Sequence, residues 1–148
     1  MIVQILKTAL ISLAIGFLVE ITSHALGSNY LQDFFKANLI TILIALLAIN
    51  LTTMGIVLTK IRDLIDQHSG LEKFTKTRAH MMLSVKEQIG LVLFAACLLT
   101  VKESTAMANI ANIALLINSL VTGAFAYALL ILYDTAKGVF IIVDYDNL

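Results

Sequence analysis

The chain has no proline, no tryptophan and a single cysteine, and only 14% of its residues are charged. Each shortage excludes something. Cys97 has no second cysteine to pair with, so a disulfide-stapled secreted domain is out. Its place in an apolar run suits a buried small hydrophobe. A soluble domain carries about 25% charge and about 45–50% apolar residues. Here 59% are apolar, which also excludes a disordered chain. With no proline, no helix along the 148 residues is forced to break. The sequence contains no Ser-His-Asp set, glycine-rich phosphate loop, paired catalytic carboxylates or zinc-ligand spacing. An enzyme is therefore not expected, nor is a metal or a cofactor. His68 and His80 lie on opposite arms of a hairpin with no cysteine or carboxylate cluster beside them.

What is present is lipid-compatible surface. The mean hydropathy is +0.94. A soluble domain of this length has too little interior to hide so much apolar area. The expected fold is all-α, a polytopic membrane protein of one domain spanning residues 1–148. A membrane helix needs about 20 mostly apolar residues. Ala37–Thr59 runs 23 residues without a charge, and Ser104–Tyr133 runs 30. Four spans are predicted, at about 2–23, 37–59, 79–101 and 109–133. Lys7 near the start of the first can snorkel to headgroups. The mostly apolar residues preceding it, and the lack of a good cleavage site, favour a retained helix over a signal peptide.

Orientation follows Lys and Arg. Lys60, Arg62, Lys73, Lys76, Arg78 and Lys86 lie between spans two and three, and Lys7 and Lys137 lie near the chain ends. Only Lys36 and Lys102 fall on the other side. Both termini are thus expected in the cytoplasm of a bacterial cell, with the protein in its inner membrane. Residues 60–88 keep helical periodicity around a His68-Ser69-Gly70 turn signal. They should form a cytoplasmic helical hairpin that continues spans two and three. On its second arm Lys73, Lys76 and His80 share a face, with Arg78 beside them. That face suits water or anionic lipid. The alternative is a site for an anionic signal such as a nucleotide or nucleic acid, or for an acidic cytoplasmic regulatory protein.

Two stripes run inside the membrane. Asn38, Thr41, Ala45, Ala48, Thr52, Gly55 and Thr59 follow alternating spacings of three and four on span two. On span four the stripe is Asn109, Asn112, Leu116, Ser119, Gly123, Ala126, Leu130 and Tyr133. Asn118 and Thr122 make a second polar pair there, as Asn50 and Thr53 do on span two. Small residues let helices approach closely in lipid, and hydroxyls and amides can bond across the contact. The stripes therefore fit tight helix packing or the lining of an aqueous pore. Four helices from one chain are too few to enclose a pore, so a pore requires a homo-oligomer, with a tetramer expected. Glu20 is an intramembrane carboxylate, a functional candidate by type. Its place near the outer end of span one also suits an exposed end group, as does the place of Asp134 near the inner end of span four.

Four functions fit this layout. One is a channel subunit, and one is a non-conducting anchor for a soluble partner. A third is a holin, although holins commonly end in a basic tail and this chain ends IIVDYDNL. The fourth is a small multidrug-type proton-coupled transporter using Glu20, although that family's signature tryptophan and proline are absent. In ANLITILIALLAINLTTMGIVLTKIRDL, SVKEQIGLVLFAACLL and its overall layout, the chain resembles the small four-span membrane effectors of bacterial anti-phage systems of the Rex, Kiwa and Hailong types. That resemblance implies a channel-like subunit, held closed by a cytoplasmic partner or signal, that depolarises the inner membrane on infection.

Overall fold

The computed structural model describes residues 2–68, 71–104 and 113–145, with side chains for 3–62, 78–104 and 113–140. Its described residues form four helices: α1 (Ile2–Ala25), α2 (Tyr30–His68), α3 (Leu71–Lys102) and α4 (Ile113–Tyr145). Each is long and apolar enough to cross a membrane, over Val3–Ala25, Tyr30–Arg62, Arg78–Lys102 and Ile113–Phe140. The fold is all-α, as the composition requires.

Three boundaries differ from the uncharged runs. Helix α2 starts at Tyr30 rather than near 37, because Asp33 sits in its first turn and favours the positive end of the helix dipole. Helix α3 begins at Leu71, and α4 continues through Asp134 to Tyr145. A charge limits a membrane span without ending a helix, since only the backbone bonds define the helix. Helices α2 and α3 both extend past their candidate spans toward each other. At 1.5 Å per residue α2 is about 58 Å long, nearly twice the ~30 Å hydrocarbon core.

The α1–α2 turn is closed by backbone chemistry. Gly27 adopts φ 63°, the left-handed conformation that glycine enters without Cβ strain. The Ser28 N–H donates to the Ser23 carbonyl and the Gly27 N–H to that of His24, which is the Schellman pattern. The chain then reverses into α2, and the Ser28 hydroxyl accepts the Tyr30 N–H.

Helix α4 is the hub, packing against α1, α2 and α3. Helix α1 lies on α4 alone among the larger helix contacts. One apolar cluster joins Phe35, Leu39 and Leu43 of α2, Ala95 of α3, and Ile117, Val121 and Ala128 of α4. A second holds Met54, Val57 and Ile61 against Met81, nearer the α2–α3 connection. We call that the hairpin end, and the opposite end, at Gly27, the turn end.

Candidate functional site

The α2 helix presents two opposed faces. Phe35, Leu39, Leu43, Asn50, Met54, Val57 and Ile61 are buried. At 100° per residue their centre lies half a turn from the small and polar stripe. All seven stripe residues, Asn38, Thr41, Ala45, Ala48, Thr52, Gly55 and Thr59, are exposed on the single chain. A Cβ on Gly55 would meet open space. The Thr52 and Thr59 hydroxyls donate to the carbonyls of Ala48 and Gly55, and the Asn38 amide donates to that of Phe34. Their donors are satisfied within the helix, while the oxygen lone pairs still face outward.

The α4 stripe behaves differently. Asn109 and Asn112 lie outside the described residues. Ser119, Gly123 and Ala126 are buried within the chain, and Leu116 and Tyr133 are exposed. Ser119 and Gly123 face α1. A Cβ built on Gly16 of α1 would lie 2.3 Å from the Ser119 carbonyl oxygen and 2.7 Å from the Gly123 nitrogen. On Gly123 it would come within 3.3 Å of the Ser12 carbonyl. The two backbones touch here because each helix supplies a glycine at the crossing. The small residues of α4 are therefore used within the chain, and those of α2 are not.

Two polar layers cross the interior. Near the turn end, Glu20 is 3% exposed. Its Oε1 accepts from Gln32 Nε2 at 2.6 Å and from Asn118 Nδ2 at 3.1 Å. This carboxylate is not an exposed end group: it ties α1 to α2 and α4. Asp134, by contrast, is exposed. At the rim of the same end Lys36 pairs with Glu103 at 2.8 Å, both half-exposed.

The second layer lies about halfway along the bundle. Asn50 is fully buried, and its Nδ2 donates to Gln88 Oε1 at 2.8 Å, with Ser84 Oγ at 3.4 Å. One residue from Gln88, Glu87 Oε2 accepts from the Tyr127 hydroxyl at 3.3 Å, joining α3 to α4. Three atoms of this layer, Asn50 Oδ1, Gln88 Nε2 and Glu87 Oε1, are buried without a hydrogen-bond partner.

The basic face is described in part. Lys73 and Lys76 lie in α3, but their side chains are outside the described residues; Arg78 and His80 are exposed. Cys97 is exposed too, unlike the buried hydrophobe expected, because much of α3 faces outward in the single chain. Among the described residues no group of three or more His, Cys, Asp or Glu gathers as a metal site would need.

The sequence reading passed over Gln32, Glu87 and Gln88. The signal that locates the last two is the antiparallel register. With Lys36 opposite Glu103, Asn50 falls level with Gln88. In the comparisons with known proteins, the chain matches no family model, no curated protein and no solved structure.

Proposed function

We propose that the chain is the subunit of a homo-oligomeric membrane pore, most simply a tetramer, in which copies meet along α2. The supporting observation is the stripe Asn38–Thr59, which points directly away from its own bundle. The lipid-facing parts of such a bundle should be large and apolar, as at Leu10, Phe17 and Leu18 of α1 and Leu93 and Phe94 of α3. A face of alanine, glycine, threonine and asparagine suits a neighbouring helix or water instead. Around a shared axis the outward hydroxyl lone pairs would replace part of an ion's hydration shell.

On this reading the protein sits in the bacterial inner membrane with both termini and the α2–α3 hairpin in the cytoplasm. The basic face of Lys73, Lys76, Arg78 and His80 receives an anionic signal or an acidic regulatory partner. The helical arms transmit its binding to α2. In the setting implied by resemblance to anti-phage effectors, opening depolarises the membrane and stops the infected cell.

Gly55→Leu tests the assembly. Gly55 has open space on the single chain, so the leucine leaves the fold intact and blocks the approach of a second α2. Native mass spectrometry should give oligomers for the wild type and monomers for Gly55→Leu, with conductance in planar bilayers lost in parallel. Equal masses for both proteins would remove α2 as the interface. An oligomer that never conducts would make the protein a membrane anchor.

A further inference from the structure

Glu87 is the carboxylate that helix packing explains least. It lies fifteen residues from the turn end of α3 at Lys102, about 22 Å along the helix at 1.5 Å per residue. That is near the middle of its candidate span. A carboxylate there is costly unless paired or neutralised. Glu20 shows what a satisfied carboxylate looks like in this fold, with two amide donors at 2.6 and 3.1 Å on one oxygen. Glu87 has only the Tyr127 hydroxyl at 3.3 Å on Oε2. Its Oε1 is buried and meets no donor. A structural tie between α3 and α4 would not need an ionisable group with one oxygen bare.

His80 lies one heptad from Glu87 on α3, and Asp134 one heptad from Tyr127 on antiparallel α4, both toward the hairpin end. Seven residues return to nearly the same helix face. His80 and Asp134 are exposed, and both act electrostatically on Glu87. The titratable groups facing Glu87 are thus His80 from its own helix and Tyr127 and Asp134 from α4; Asn50 of α2 is uncharged. His80 and Asp134 both stand about 10 Å further along the bundle, beyond hydrogen-bond reach of Oε1.

We propose that Glu87 is a proton-binding site at mid-membrane depth in the α3–α4 seam. On acidification a hydronium ion gives its proton to Oε1 and leaves as water, and the Glu87 carboxylate becomes a carboxylic acid. Tyr127 keeps its bond to Oε2 throughout and orients the group. The site is independent of whether copies of the chain enclose a pore.

Infrared difference spectroscopy after a pH jump tests this on the full chain in liposomes of phosphatidylcholine and phosphatidylglycerol. Acidification should raise a protonated-carboxyl stretch that Glu87→Gln abolishes. Tyr127→Phe removes the hydroxyl donor and should shift that band while favouring the protonated form. The proposal is overturned if the Glu87→Gln spectrum equals that of the wild type. Should Glu87→Gln fail to fold, Tyr127→Phe decides alone, because a band indifferent to that hydroxyl does not belong to Glu87. None of these readouts requires conductance, so failure here and failure of the pore reading are separable.

Discussion

Glycine serves opposite ends at three positions in this chain. At Gly16 and Gly123 it permits backbone contact inside the chain, and at Gly55 it lies on an open face. The atoms that a Gly16 Cβ would strike are backbone atoms of α4, which cannot swing aside as a flexible side chain can. Gly16→Ala should therefore destabilise the chain by about 1–3 kcal/mol or more, read as unfolding in mixed micelles. Gly90→Ala is the control, since nothing lies near its Cβ and alanine is the better helix former. Equal stability of both variants would contradict the α1–α4 crossing. At this scale the sequence was only partly legible. Glu20 stood out as a charge in an apolar run, but its partners Gln32 and Asn118 come from other helices. Glu87 was hidden because it borders a charged segment, where a carboxylate attracts no notice.

At the scale of the helices, the apolar runs located the four helices that are long and apolar enough to cross a membrane. They misplaced the ends of α2 and α4, where Asp33, Lys36 and Asp134 continue the helix. Which helix forms the hub was not legible, because periodicity shows that a face is special without showing what covers it. The stripes of α2 and α4 look alike in sequence, yet α4 spends its small residues on α1 and α2 turns its own outward. Between α2 and α3 the Asn50–Gln88 bond is a direct energetic link. A double-mutant cycle with Asn50→Leu and Gln88→Leu should give a coupling of about 0.6 kcal/mol, and at most about 1.7, the range found for hydrogen bonds inside membranes. Strict additivity in a micelle unfolding assay would mean that the two amides do not meet.

The whole molecule is a bundle whose interior is already filled by two apolar clusters and two polar layers. On the proposed pore reading, the conducting path lies between chains, against the outward stripe of α2. The most direct measurement is blockade of single-channel current by a charged thiol reagent at neighbouring positions, in a Cys97→Ala background that removes the exposed native thiol. Thr52 belongs to the stripe, and Leu51, 48% exposed, lies about 100° around the helix where lipid should cover it. Thr52→Cys should be blocked by the reagent, while Leu51→Cys conducts unchanged. Blockade at Leu51→Cys with none at Thr52→Cys, or no current from any variant, would contradict the account.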